Sequence, residues 1–422
     1  YGNDISLDYA IRAVVEHARS STFLTADGVV PGNEGRGYVL RRVIRRAIRH
    51  GRRLGLDRPF LWEIAEGVIN RMSHNYPELG NHREFIATVL RLEEERFQHA
   101  YQNGQNILEE ALHGAKALPD EVVFRLWDTY GFPVEMTQEI ALERGVDVDL
   151  VGFNRQMEVQ RKRARATSQF GGAHGKIRVY ESLGVGATKF LGYDRLTGAS
   201  IVVGLISDGD TKSEILEDSD AEIVLVETPF YPEGGGQVGD SGQLIGPTGK
   251  ISIRDTQTVI PDLIVHFGKV TEGTVAIGQT LESYVDPLQR DDAARNHTAT
   301  HLLHAALRQV LGPHVRQAGS LVTPSRLRFD FSHVQAMTEE ELWKVQFMVN
   351  EKIRQNAHII SSQDTYSGAI SRGALAFFGD KYGETVRLIE IANGETFSFE
   401  VCGGTHVSNT GDVESVPVLS RY

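Results

Sequence analysis

The chain has 422 residues, is 41% hydrophobic and 24% charged, and carries a formal net charge of −12. That length points to roughly two to four domains, the composition is that of an ordinary globular protein, and no run of about 18 apolar residues could span a membrane. Cys402 is the only cysteine, which excludes an internal disulfide. It leaves the thiol for metal binding or chemistry, as fits a reducing cytoplasm.

Residues 1–170 read as helical. "DYAIRAVVEHARSSTFL" places apolar residues at three- and four-residue spacing. "RGYVLRRVIRRAIRHGRR", residues 36–53, holds eight arginines and no acidic residue. Val39, Leu40, Val43, Ile44, Ala47 and Ile48 share one of its faces. A one-signed run in an acidic protein points to phosphate contact, by Arg41, Arg42, Arg45 and Arg46; a solvated face is the alternative. A long helix follows through "REFIATVLRLEEERFQHAYQNGQNILEEALHG", with Gly114 as its C-cap. "DEVVFRLWDTYGFP" is a short helix stopped by Gly131 and Pro133, and "LVGFNRQMEVQRKRARATSQFGG" is another helix.

From 171 to 287 the pattern shifts to short β-rich runs: "SIVVGLIS", "EIVLVETPFY", "KISIRDTQTVI" and "LIVHFGKV". Turn signals separate them, as in a small barrel or sandwich. "YPEGGGQVGD" lacks the strand-then-helix context of a nucleotide-binding loop.

Residues 288–422 read as α/β, so the expected whole is a multidomain α+β protein. "DDAARNHTATHLLHAALRQVLGP" is a helix with Asp291 or Asp292 as N-cap. "SRLRFDFSH" is a strand, "TEEELWKVQFMVNEKIRQN" a helix opened by a capping box at Thr338, and "ETFSFEVCGGTH" a strand ending in a glycine turn. In that strand Phe397, Phe399 and Val401 form an apolar face, and Ser398, Glu400 and Cys402 a polar one.

His297 and His301 stand one helical turn apart, so both rings face the same way. Alone, such a pair also fits two core histidines. Cys402 and His406 stand four apart around Gly403 and Gly404, which let the chain turn back. Two imidazoles from a helix and a thiolate with an imidazole from a loop make a soft tetrahedral set, and one Zn²⁺ is its best match. Four protein ligands leave no open position for water, so such an ion organises or orients. His304 is better placed just behind this set or in the core than among its donors.

The chain resembles the alanyl-tRNA synthetase family. The two histidine-bearing pairs, "QAGSLVTPSRLRFDFSH", "FYPEGGGQVGD", "DTYGFPVEMT" and "DGVVPGNEGRGYVLRRVIRRAIRHG" carry the resemblance, in the family's order. It implies a helical tRNA-recognition domain, a barrel-like domain, and an editing domain that hydrolyses alanine tRNA charged with serine or glycine. It also implies that the family's ATP-using aminoacylation domain and its C-terminal domain lie outside this stretch. By resemblance Thr300 and Gln317 line the editing pocket, and Asn33 and Asp128 read the wobble pair of the acceptor stem. Each has a plainer alternative: a threonine bonded to its own helix, a loop amide, and two turn formers. A tRNA-binding module with structural zinc, and a zinc hydrolase of small molecules, are the competing functions. Oligomeric state is not legible.

Overall fold

Among the described residues up to 167, three- and four-residue apolar spacing becomes eight helices: α1 (Ile5–Ala26), α2 (Gly35–Arg53), α3 (Leu61–Met72), α4 (Pro77–Asn81), α5 (Arg83–Leu112), α6 (Asp120–Asp128), α7 (Val134–Glu143) and α8 (Leu150–Thr167). The computed structural model describes residues 2, 4–33, 35–113, 115–167, 173–376 and 383–417. The chain divides into two units, Tyr1–Gly171 and Gly172–Tyr422. Among the described residues no helix is long and apolar enough to cross a membrane.

In the first unit, Asp4 caps α1 by accepting from the backbone N–H groups of Ser6 and Leu7. Helix α2 buries Leu40, Ile44, Ala47 and Ile48 in a core shared with Leu90, Phe97 and Phe132. Val39, expected on that face, is 44% exposed. Helix α5 stops at Leu112 with His113 as its cap; Gly114, expected there, lies outside the described residues. Gly131 turns the chain after α6 with a φ of +63°. A Cβ there would push against the Arg45 guanidinium, so glycine suits the backbone and leaves that guanidinium in place.

The second unit opens with α9 (Ala173–Ser182), and the longer strands after it, among shorter ones, are β1 (Thr197–Ser207), β2 (Asp220–Leu225), β3 (Gly242–Ile245), β4 (Gly249–Ile260), β5 (Leu263–Ala276) and β6 (Thr280–Val285). They pair antiparallel in the order β4-β3-β6-β1-β2-β5, and β5 pairs back to β4, closing a barrel. The interior is filled by residues such as Val202, Leu205, Ile223, Leu244, Ile251, Val270 and Leu281. Strands β3 and β6 escape the sequence pattern: β3 has four residues, and β6 turns a serine, Ser283, to the buried side.

His266 of β5 is fully enclosed in this unit. Its Nδ1 lies 2.9 Å from the Ile223 carbonyl and its Nε2 2.7 Å from Thr228 Oγ1. Burial pushes its pKa down to about 4. Between the ordinary histidine value and pH 4 the unfolded chain binds this proton and the folded chain does not. Stability is therefore fully present above about pH 6.5 and falls, by on the order of 3 kcal/mol, as pH drops towards 4. Urea unfolding at pH 7 and 4.5 should show a smaller loss in His266→Gln than in the parent; equal losses would remove His266 as the cause.

Helix α10 (Pro287–Leu311) leaves the last barrel strand. Its N-cap is Asp286, whose carboxylate accepts from Leu288 N and Gln289 N. This corrects the expected cap: Pro287 presets the first helical residue, which puts Asp291 and Asp292 inside the helix. A hairpin of β7 (Gln317–Val322) and β8 (Leu327–Phe331) follows, then α11 (Glu339–Arg354), opened by the expected capping box of Thr338 and Glu341. Strand β9 (His358–Thr365), helix α12 (Tyr366–Ser371), and strands β10 (Thr385–Asn393) and β11 (Glu395–Val401) complete the unit, the three strands pairing antiparallel in order. Leu302, Ala306, Val345, Val349 and Ile391 join α10 and α11 to this sheet.

Strand β11 carries the two expected faces. Its polar residues Ser398 and Glu400 are each only 5% exposed, while Phe397, Phe399 and Val401 are half-buried. The polar face points inward because α10 presents histidines to it.

Candidate metal centre

His297 and His301 come from the middle of α10, Cys402 follows the end of β11, and His406 follows the glycine turn. One donor atom from each can be chosen so that all four lie within 4.8 Å of one another. Cys402 Sγ stands 3.4 Å from His297 Nε2 and 3.4 Å from His406 Nε2. A tetrahedral zinc site has S···N edges of about 3.6 Å, given its metal–ligand bond lengths.

The surroundings aim the rings. His297 Nδ1 is 2.7 Å from Gln237 Oε1, His406 Nδ1 is 3.2 Å from Thr298 Oγ1, and His301 Nδ1 is 3.1 Å from Glu400 Oε2. Holding Nδ1 from outside leaves Nε2 free to face inward, the usual arrangement around metal-bound histidines. The charges agree. Burial raises the Cys402 thiol pKa, but His297, His301 and His406 outweigh it and hold the group well below its ordinary value. Burial likewise opposes ionisation of Glu400, and His301 and His304 overcome it, keeping the carboxyl below its usual range. An anionic sulfur among imidazoles, backed by an anionic carboxylate, suits a divalent cation. The four residues therefore fit the expected ion.

The turn between Cys402 and His406 is tightly held. Tyr193 Oη donates to the Gly403 carbonyl at 2.6 Å, and Arg387 donates to the carbonyls of Cys402 and Gly404 at 3.2 and 2.8 Å. Arg387 also lies over the Tyr193 ring at 4.1 Å. A Cβ on Gly404 would overlap the His297 ring. Gly404→Ala is expected to weaken zinc binding at least about tenfold by displacing that imidazole. Titration against a competing chelator checks this, and an unchanged affinity would mean the turn moves aside freely.

Other expected residues fall as follows. Thr300 is buried, and its hydroxyl donates to the Asn296 carbonyl at 2.8 Å, the helix-bonded arrangement. Gln317 Nε2 donates to Ser320 Oγ at 2.9 Å, and Ser320 Oγ donates to the Gly235 carbonyl at 3.2 Å. Gln317 thus connects to the glycine loop of "YPEGGGQVGD". That loop turns through Gly235 and Gly236, both at positive φ, and also sends Gln237 to the histidines. His304 stays outside the donor set, with Nδ1 2.8 Å from Glu400 Oε1. Sequence reasoning missed Gln237, Thr298 and Glu400 as partners of the cluster. Glu400 carried a signal: a carboxylate on an inward strand face needs a partner.

In the helical unit, Asn33 and Asp128 are exposed, and Asn33 Oδ1 accepts from Arg41. The arginine run is answered by glutamates. Arg41 and Arg45 meet Glu93 at 3.2 and 2.8 Å, Arg42 meets Glu135 at 2.7 Å, and Arg46 meets Glu139 at 2.9 Å. Arg45 is only 8% exposed, donates to the Gly131 carbonyl and lies over the Phe97 ring.

Helices with paired arginines, a closed barrel and a buried Cys/His cluster define a mixed α/β protein with a candidate metal centre. The family model described as tRNA synthetases class II (A) matches residues 1–289, so the chain belongs to that family. This match runs through the helical stretch and the barrel together. A second model, the threonyl and alanyl tRNA synthetase second additional domain, matches residues 386–421, which include Cys402 and His406. The alanine–tRNA ligase of Nitrosomonas europaea is 47% identical over 405 residues, 96% of this chain and 46% of its own length. Those of Chloroflexus aurantiacus and Thermoanaerobacter sp. X514 are 44% and 41% identical, covering 98% and 100% of this chain and 48% of their own lengths. The chain spans about half the length of the curated relatives it matches.

Proposed function

We propose that this chain recognises the acceptor stem of the alanine tRNA and hydrolyses the ester at its 3′ end when serine or glycine has been attached wrongly. The convergence of His297, His301, Cys402 and His406, in a chain 41–47% identical to alanine–tRNA ligases, carries this reading. Attaching alanine to the tRNA with ATP belongs, on the same reading, to the whole protein. A second sieve has a physical reason: glycine and serine differ from alanine by one methyl or one hydroxyl, and a small pocket discriminates such changes by only about 1–3 kcal/mol.

The four residues would hold one Zn²⁺, which would supply positive charge and order at the pocket. Thr300 commits its hydroxyl hydrogen to Asn296. Its oxygen lone pairs remain to accept from a serine hydroxyl, which alanine lacks. Gln317 orients the ester or the attacking water from β7. Water attacks the carbonyl carbon, the bond to the ribose oxygen breaks, and that oxygen takes a proton. Positioning supplies much of the rate in this scheme.

For the stem, Asn33 and Asp128 offer an amide and a carboxylate to base edges. Arg42 and Arg46, with side chains 42% and 39% exposed, are better placed for phosphate than Arg41 and Arg45, which are largely enclosed.

Seryl-, glycyl- and alanyl-tRNA incubated with the chain test the proposal. Loss of the first two esters with alanyl-tRNA spared is expected; stability of all three overturns hydrolysis. Four protein donors leave no open coordination position, which favours one competitor, a tRNA-binding module with structural zinc. Salt-dependent tRNA binding without ester loss would select it.

A further inference from the structure

We infer that Gln237, in the glycine loop beside the barrel, is a positioning residue of the metal centre that ties its two halves together. This rests on the reading of the Cys/His cluster as a metal site. Gln237 is fully buried. Its Oε1 lies 2.7 Å from His297 Nδ1 and accepts from Thr405 N at 3.0 Å. Its Nε2 donates to Thr405 Oγ1 at 2.8 Å. One side chain therefore touches a donor-bearing ring on α10 and the turn between Cys402 and His406.

The chemistry follows from the amide's polarity. With Oε1 accepting from Thr405 N, the bond to His297 requires that Nδ1 carry the ring proton. The lone pair is then on Nε2, the nitrogen 3.4 Å from Cys402 Sγ. Gln237 thus selects the tautomer a metal needs and sets the separation between helix and turn. Its own place is fixed by backbone: Val238 N donates to the Val322 carbonyl at 3.1 Å and Val322 N to the Gly236 carbonyl at 2.7 Å.

Two variants separate positioning from packing. Gln237→Met keeps the volume and removes both polar atoms. Gln237→Glu keeps an acceptor for His297 Nδ1 and Thr405 N, and its second oxygen can accept from the Thr405 hydroxyl. With zinc alone as probe, in competition with a chromophoric chelator, Gln237→Met should bind about 10–100-fold more weakly, and Gln237→Glu within about threefold of the parent. Melting of the metal-free proteins should rank them the other way, because glutamate brings a charge into a buried place. In the cobalt-loaded proteins the visible bands of a tetrahedral thiolate site should persist in Gln237→Glu and weaken or shift in Gln237→Met. A packing role instead predicts that the more destabilised variant also binds metal more weakly, and that result overturns the inference. So does zinc affinity in Gln237→Met equal to the parent's. A parent chain that takes up no zinc would overturn the metal reading and this inference with it.

Discussion

Cys402→Ala should lose zinc and deacylation together. Removing a donor is more severe than removing its outer partner, so the affinity should fall by more than about 100-fold. Metal analysis after dialysis and hydrolysis of seryl-tRNA are the paired measurements. The loss reaches stability too: a ligand at 1,000 times its dissociation constant stabilises the folded state by about 4 kcal/mol. The melting temperature of the zinc-loaded parent should therefore drop in the variant, while the two metal-free proteins melt close together. Metal retained with full activity would sink the site. Metal lost with activity retained would separate the two functions and leave zinc a structural role.

Arg290→Met should cost about 3–5 kcal/mol, because it leaves a buried carboxylate unpaired. Arg290, in the first turn of α10, and Asp240, at the end of the glycine loop, are both 5% exposed. Arg290 Nε lies 3.0 Å from each Asp240 oxygen, and the same guanidinium donates to the carbonyls of Gly192 and Pro229 at 2.7 and 2.8 Å. Burial raises the Asp240 pKa although Arg290 opposes it. Once Arg290 is gone, the carboxyl favours its neutral form, so the variant's deficit should shrink as pH falls through the carboxyl's raised pKa. Adding Asp240→Asn should recover part of the loss. Urea unfolding of the single and double variants at pH 7 and 5 tests this, and a deficit below about 1 kcal/mol would place the pair among weak surface bridges.

Local rules reached far along this chain. Thr338 and Glu341 marked the start of α11 three residues apart, and the spacing of His297 and His301 put two rings on one helical face. Such signals are confined to a turn or two of backbone. What they could not carry was choice of partner. The arginine run looked unopposed because its glutamates lie far along the chain, Glu93 next to Arg45 but 48 residues on and Glu135 next to Arg42 but 93 residues on. The polar face of β11 named no partner for Glu400, because His304 lies 96 residues upstream. Thr300 was singled out by the family resemblance; Thr298, also between the two histidines, is the threonine that meets His406.

The separations within the cluster also govern when it can form. His297 and Cys402 are 105 residues apart, and Gln237 and Thr405 are 168 apart. Loops of that length close at an entropic cost that must be met before their contacts reward it. During synthesis, at about 5–20 residues per second, the barrel and α10 are complete while the thiolate has yet to be made. On the metal reading, capture would come among the last steps of folding rather than as its seed, and a ribosome stalled before Cys402 would display two imidazoles with nothing to close on.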